Sequence, residues 1–418
     1  MKKLICKIIE ERKDELFSLL SELIKINSEN FAYYGNEEEC ARYVKKYCDD
    51  LGIPADMFSP LELESFENHP DYWPERALEN RPSVVATLPG CEDKNGLMLM
   101  AHIDTVEIGD PANWSVPPLS GEIKDGRIYG RGASDDKYGV AAALFIMKIL
   151  KEAGLVPKQN LLFSAYSDEE AGGSHGALSS VLKYPCDHIL NMDGEHDQVW
   201  HCATGGQEVK YLYHTENVVD SSELCARAIP VVMDILKEFK QNRFAELSNN
   251  KYYNGTVIPE SSMLYMGIRA GSNGTDLNRG EIHFIYYTDK TEREIYSEFA
   301  ELEKKLSTAL KPLGIVGDGF IPYTRFFHYV FCEPDAPDIQ KLLSAAREVT
   351  GKEPIVCGSC LSDLSVISKY GNSNAFTFGA ARTFLEEGGA HQPDEFIECD
   401  KLLEFTKTVA VYILNMLY

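Results

Sequence analysis

The feature that most constrains this fold is an alternation of apolar runs and helical patterns that begins near residue 82. The runs "PSVVATL", "GLMLMAHI", "NLLFSAYS" and "DHILNM" have the length and composition of buried strands, and "YGVAAALFIMKILKEAG" predicts a helix that ends at Gly154. Buried strands that alternate with helices predict an α/β fold, with an open sheet covered by helices.

Residues 206–325 predict a different unit. A strand ("EVKYLYH"), a long helix, two strands ("SSMLYMGIRA" and "EIHFIYYTD"), a second helix and a final strand near "FIPYTRFF" form a βαββαβ sandwich. The first pattern then resumes with two helices and the strand "NAFTFGA". We therefore expect one domain over 1–205 and 326–418 and an inserted domain over 206–325.

Composition narrows the classes of partner. Asp and Glu number 65 and Lys and Arg 41, so the net charge is −24. The electric field of this negative charge disfavours the binding of nucleic acid and anionic lipid and is compatible with the binding of cations. The N-terminal 26 residues predict an amphipathic helix whose charges leave no signal-peptide core, so we expect a cytoplasmic chain without a membrane segment. The eleven cysteines are interpreted as reduced, and the lone "CGSC" is a weak redox signal.

Residues able to bind metal follow the predicted strands, where binding sites of open α/β sheets cluster. They are His102 and Asp104 in "MAHIDTV", Asp135 and Asp136 before a helix, Glu169 and Glu170 in "YSDEEAGG", Asp193 in "ILNMDGE" and His391 in "GGAHQPDEF". Each alone has an ordinary explanation, such as a polar strand end, a helix cap or a solvated turn. Together, two histidines and three carboxylates suffice for two divalent ions, with zinc favoured and manganese or cobalt as alternatives.

The adjacent glutamates raise a separate question. In an extended segment, neighbouring side chains point in opposite directions, so Glu169 and Glu170 can have different roles. One could hold metal while the other faces substrate. We interpret isolated histidines such as His175 as structural.

The motifs "AHIDTV", "GRGASDDKYG", "DEEAGGSHGA", "NMDG" and "GGAHQPDEF", in this order, resemble those of the M20 family of metallopeptidases and amidohydrolases. That family includes aminoacylases, desuccinylases, glutamate carboxypeptidases and dipeptidases. The resemblance implies a zinc-peptidase-like catalytic domain with a mixed, mostly parallel sheet. It also implies an inserted ferredoxin-like lid, through whose edge strands such chains often form homodimers.

The resemblance also implies roles for individual residues. His102 and Asp193 would bind one metal, Glu170 and His391 the other, and Asp135 would bridge them. Asp104 would support His102, Glu169 would be the general base, and the peptide bond after Asp135 would be cis. A hydroxide bridging the metals would attack the amide carbonyl while Glu169 transfers its proton to the leaving amine.

The lid departs from the family pattern at its substrate-binding residues. His214 is a candidate for the lid histidine or a strand-end residue, and Asn273 resembles the lid asparagine. Tyr287 stands where the carboxylate-gripping arginine is expected, and the alternatives left open are Arg269, Arg279 and Arg325. Ser362 and Asp363 match a substrate-side loop only loosely.

The leading hypothesis is a hydrolase that cleaves an amide bond of a dipeptide or an N-acyl amino acid. The alternative is a non-catalytic relative that binds a small molecule or a protein partner. The filled metal positions favour the first hypothesis, and the altered lid favours the second.

Overall fold

The computed structural model describes residues 1–31, 33–217, 219–252, 261–271 and 276–418, which form two compact units. The first unit comprises Met1–His201, Phe331–Cys357 and Val366–Tyr418. The second comprises Cys202–Val330 and Gly358–Ser365. The short segment Gly358–Ser365 thus packs with the second unit, although the sequence analysis placed it in the first domain.

The elements of the described residues have the following bounds. The helices are α1 (Lys2–Glu11), α2 (Lys13–Lys25), α3 (Glu38–Asp50), α4 (Lys137–Glu152), α5 (His175–Lys183), α6 (Ser221–Asn249), α7 (Glu292–Leu310), α8 (Pro337–Thr350), α9 (Leu364–Val366) and α10 (Cys399–Leu417). The strands are β1 (Ala55–Phe58), β2 (Ser83–Leu88), β3 (Glu92–His102), β4 (Ile123–Lys124), β5 (Arg127–Tyr129), β6 (Gln159–Tyr166), β7 (His188–Asn191), β8 (Gln198–Ala203), β9 (Gly205–Thr215), β10 (Met263–Ala270), β11 (Arg279–Thr288), β12 (Ile315–Pro322), β13 (Val330–Phe331), β14 (Ile355–Ser359), β15 (Phe376–Phe378) and β16 (Phe396–Glu398).

A mixed sheet with a parallel centre organises the first unit. Its strand order runs β1-β2-β6-β3-β7-β15-β8 and continues to β13, with β14 also paired to β8. The neighbours β6, β3, β7 and β15 run parallel, whereas β1 pairs antiparallel with β2, β2 with β6, and β8 with β15. The fold class predicted from the alternating pattern is confirmed.

Helix α4 shows why the sequence folds into layers. It packs against β3 on one side and against α2 and α10 on the other. Its segment "GVAAALFIM" is accordingly buried on every face, so this helix carries apolar residues all round rather than one apolar stripe.

The second unit contains a four-stranded antiparallel sheet with the order β10-β11-β9-β12. Helices α6 and α7 pack on one face of this sheet, and the buried core between them includes Tyr211, Phe239, Phe284 and Phe299. Along β9 the buried residues alternate with half-buried ones, as expected for a sheet with one covered face. The predicted βαββαβ order is confirmed.

Several predicted elements differ in their bounds. The N-terminal segment forms two helices, because the backbone of Arg12 leaves helical geometry at φ −116° and ψ 19°. The last strand of the second unit is Ile315–Pro322, earlier than the predicted "FIPYTRFF", and Pro322 cannot donate to a continuing ladder. The structure also contains α3, α5, β1 and β14, which the sequence analysis did not predict. In the part of the chain that the structure describes, no helix is long and apolar enough to cross a membrane.

Candidate metal centre

The candidate ligands meet because parallel strands end at one edge of the sheet. Strand β3 ends at His102, β6 at Tyr166, β7 at Asn191 and β15 at Phe378. The segments that follow these four strands carry four of the five motifs, and the fifth, with Asp135, lies between β5 and α4. The edge beyond the carboxyl ends of parallel strands is where α/β sheets bind ligands.

Asp135 lies between the two candidate histidines. Its Oδ1 is 2.9 Å from His102 Nε2, and its Oδ2 is 3.1 Å from His391 Nε2. His391 Nε2 is also 2.8 Å from Glu170 Oε2. Each oxygen of Asp135 therefore contacts a different imidazole, so the two candidate histidines share this carboxylate.

A second group of potential ligands shares His102. Ligand atoms of His102, Asp136 and Asp193 lie within 4.8 Å of one another, as do those of His102, Asp135 and Glu170. The peptide bond between Asp135 and Asp136 is cis, as the family resemblance implied. Asp136 was interpreted as a helix cap, but its side chain makes no cap hydrogen bond to α4 and instead accepts from the backbone N–H of His102 at 3.3 Å. The sequence signal for Asp136 was the doubled acid in "SDD".

The charges of the cluster shift the pKa of its members. Burial opposes protonation of His102, but the hydrogen bond and charge of Asp135, with the charges of Asp104 and Asp193, raise its pKa well above the usual range. Burial likewise opposes protonation of His391, and Glu170 and Asp135 together raise its pKa. Burial would raise the pKa of Asp135, but the two imidazoles lower it. The surrounding carboxylates therefore favour the protonated forms of the two imidazoles in the metal-free chain.

The donor set fits divalent cations. Imidazole nitrogens with carboxylate oxygens suit zinc, manganese or cobalt. Among the described residues, the buried Oδ1 of Asp136 has no hydrogen-bond partner, so this oxygen is available to a cation. Burial and the charge of Asp193 also raise the pKa of Asp136, which a bound cation would reverse.

Asp104 supports the centre in two ways. His102 Nδ1 is 3.0 Å from the backbone oxygen of Asp104 and 3.7 Å from its Oδ1, so the carbonyl is the nearer partner of the imidazole. The other carboxylate oxygen, Oδ2, accepts from the backbone N–H of Glu169 at 3.0 Å and from that of Glu170 at 3.1 Å. The family resemblance implied that Asp104 supports His102, whereas its contacts with the two glutamates were not predicted.

The two glutamates lie in a turn, so the extended backbone assumed from the sequence is wrong. Strand β6 ends at Tyr166, Asp168 has a φ of 67°, and the N–H of Gly172 donates to the Glu169 carbonyl at 2.9 Å. The Glu170 carboxylate nevertheless reaches His391, while Glu169 is half-buried. The glycine pair after the glutamates has a steric reason, because a Cβ at Gly173 would overlap the carboxylate of Asp168.

The candidate substrate residues lie in the second unit. His214 is on β9, with Nδ1 2.7 Å from Asp318 Oδ1, and Asn273 lies outside the described residues. Arg325 is buried, donates to Ser365 Oγ at 2.9 Å and stacks on Phe327. Arg269 and Arg279 are exposed and therefore more available to a carboxylate.

A comparison of the sequence with models of protein families shows which family shares these motifs. A model described as peptidase family M20/M25/M40 matches residues 98–415, about three quarters of the chain. The chain belongs to this family.

Relatives of this M20 chain include enzymes and uncharacterised proteins. An uncharacterised metallohydrolase of Methanocaldococcus jannaschii is 35% identical over 185 residues, which cover 43% of this chain and 42% of the relative. The N-formyl-4-amino-5-aminomethyl-2-methylpyrimidine deformylase of Bacillus subtilis is 29% identical over 98% of this chain and 96% of its own length. Several of the curated relatives, like the first of these, are matched over only about four tenths of their length.

Solved structures show the same fold. The dipeptidase Dug1p of Saccharomyces cerevisiae superposes with a TM-score of 0.74 at 14% identity, over 99% of this chain and 98% of the yeast chain. At this identity the likeness extends to the fold alone.

Proposed function

We propose that this M20 chain is a metal-dependent hydrolase that cleaves an amide bond of a dipeptide or an N-acyl amino acid. The observation that carries the proposal is the position of Asp135 between His102 and His391, with Glu170 beside the second histidine. The relative that is matched over nearly its whole length, a deformylase, also hydrolyses an amide bond.

The roles follow from the positions of the side chains. His102 and Asp193 would hold one cation, His391 and Glu170 a second, and Asp135 both. When bound, such a pair of divalent ions supplies an acidified water and an electrophile for the carbonyl oxygen. Glu169 would accept the proton of that water and return it to the leaving amine.

A substrate panel tests the proposal. The purified chain, stripped with a chelator and reloaded separately with zinc, manganese or cobalt, is assayed against dipeptides and against N-formyl, N-acetyl and N-succinyl amino acids. We expect turnover of at least one class only after a metal has been restored. If the loaded protein binds two ions and hydrolyses no member of the panel, the non-catalytic alternative is correct.

We also propose that the second unit carries a homodimer surface. Strand β10 is at the edge of its sheet, and its side chains Leu264, Met266 and Ile268 are 42%, 56% and 42% exposed. Unpaired edge strands with apolar side chains tend to associate. Light scattering on the intact protein should give twice the chain mass, and Met266→Lys should give a monomer.

A further inference from the structure

We propose that a closed ring of buried hydrogen bonds positions Glu169, and that Asn30 and Arg76 are the positioning residues in it. The ring runs from Asp104 through Asn30 and Arg76 to Asp168, and returns to Asp104 through the backbone of Glu169. That this ring serves catalysis rests on the role proposed above for Glu169.

The first half of the ring holds the glutamate turn by its backbone. Asp104 Oδ2 accepts from the N–H groups of Glu169 and Glu170 and, at 2.7 Å, from Asn30 Nδ2. Asn30 is 4% exposed and Asp104 is fully buried. Three donors converging on one carboxylate oxygen fix its position, and charge-assisted hydrogen bonds of this kind are stronger than neutral ones.

The second half holds the residue before Glu169. Arg76 is buried, its Nε donates to Asp168 Oδ1 at 3.0 Å, and its guanidinium also donates to Asn30 Oδ1. Nη1 of Arg76 donates to the carbonyl of Phe31 at 2.7 Å and ties Arg76 to the segment that carries Asn30. Arg81, at 2.7 Å, and His175 hold Asp168 from outside the ring.

Asparagine suits position 30 because one neighbour in the ring donates a hydrogen bond and the other accepts one. Its Oδ1 faces the cationic Arg76 and its Nδ2 faces the anionic Asp104. An amide has one acceptor and one donor group and so satisfies both neighbours. Aspartate at position 30 would set two acceptor oxygens against each other, whereas alanine would leave Arg76 and Asp104 without their link.

The ring therefore fixes the backbone of Glu169 from both sides, at Asp168 and at its own N–H. Asn30, Arg76 and Asp104 all lie more than 60 positions from the turn in the chain, so the arrangement is tertiary. A general base displaced by about 1 Å can lose about 10²-fold in rate. Asn30 and Arg76 would act in this way without touching substrate or metal.

Hydrogen exchange of the metal-free protein tests the ring without an activity assay. In Asn30→Ala and in Asn30→Asp we expect the amides of Glu169 and Glu170 to exchange about 10-fold faster, with little change in the core strands. Asn374→Ala, at an exposed asparagine, is the matched control and should change neither. Unaltered exchange at Glu169 and Glu170, or a uniform increase over the whole chain, would overturn the proposal.

Kinetic coupling tests whether the ring acts through Glu169. With the substrate found by the panel, Asn30→Ala should lower kcat by about 10- to 100-fold, change KM by less than about 3-fold and leave the metal content unchanged. In the Glu169→Gln background the same change should lower the residual kcat by less than about 2-fold. An equal loss in both backgrounds would refute the proposal. If Glu169→Gln itself leaves kcat unchanged, the proposed role of Glu169 as general base is wrong. The hydrogen-exchange experiment still tests the ring independently of that role.

Arg76 supplies an independent variant. Arg76→Lys keeps the positive charge, but a lysine cannot donate to Asp168, Asn30 and Phe31 together as the planar guanidinium does. We therefore expect it to lower kcat as much as Asn30→Ala does. The double variant Asn30→Ala/Arg76→Lys should have a kcat no lower than that of the slower single variant, because either substitution alone already breaks the ring. Arg42→Lys, at an exposed ion pair, is the matched control.

Discussion

His391 Nε2 lies 2.8 Å from Glu170 Oε2, although 221 positions separate the two residues in the chain. The histidine comes from the loop between β15 and β16, and the glutamate from the turn after β6. Their contact brings a C-terminal loop to the edge of the central sheet, where Asp135 and His102 complete the cluster.

Replacing the two neighbouring glutamates should separate their roles. We expect Glu169→Gln to lower kcat by about 10²- to 10⁴-fold because the proton acceptor is lost, with nearly unchanged metal content. Glu170→Gln should instead deplete one of two ions, since its carboxylate contacts His391. Metal analysis and steady-state kinetics on both variants check this. Full turnover in Glu169→Gln would contradict the assignment.

Metal binding should release protons. Both His102 and His391 have a raised pKa in the metal-free chain, so at pH 7 their imidazoles carry protons that a metal must displace. We expect zinc binding to release about one to two protons at pH 7 and the affinity to fall as the pH is lowered. Calorimetry in two buffers of different ionisation enthalpy measures the release. His188→Gln, at a histidine paired with Asp338, should leave it unchanged.

The steric requirement at Gly173 gives a stability prediction. Gly173→Ala would place a methyl group against the Asp168 carboxylate, and we expect a loss of about 1–3 kcal/mol in the free energy of unfolding, with lower activity. Gly267→Ala is the matched control, because its Cβ would meet only His283 Cβ at 3.8 Å. Urea unfolding of both variants measures the difference. Equal stability of the two variants would show that the turn relaxes freely.

Glu37 should make stability depend on pH. Burial raises its pKa from 4.5 to about 7, although Arg81 opposes the shift. Between these values the folded protein binds more protons than the unfolded chain. The stabilising contribution is therefore fully present below about pH 4.5 and is lost as the pH rises through 7.

Glu37→Gln removes the titratable carboxyl group and should make the free energy of unfolding depend less on pH. Unfolding free energies measured between pH 5 and 7.5 should fall more steeply in the wild type than in this variant. Only the slopes are compared, because the substitution also weakens the buried pair with Arg81. Parallel slopes would mean that Glu37 keeps an ordinary pKa.

Much of the fold was predictable because its information is local. Apolar runs and helical periodicity placed β3, β6, β7, α4 and the βαββαβ unit, and they also predicted the helices α7 and α10. Elements without such patterns were missed, among them α5, which follows the glycine pair, and the two-residue strands. The break at Arg12 was also missed, because helical periodicity continues through it.

The candidate metal ligands were predictable for a related reason. All but His391 stand within a few residues of a strand end or a helix start, and each lies in a motif of acids, histidines and glycines that can be recognised in the sequence. The sequence thus determined which side chains are available at the edge of the sheet and, through the parallel order of the strands, that they would meet.

Only the tertiary structure decided how those side chains are held. Asn30 and Arg76 lie in irregular segments with no periodicity, and their partners are 74 and 92 positions away. Asp104 was expected to support His102, and packing also made it, together with Asp168, an anchor of the glutamate turn. The physical reason is that a buried polar group must find its partner wherever the fold provides one, and no local pattern specifies that partner.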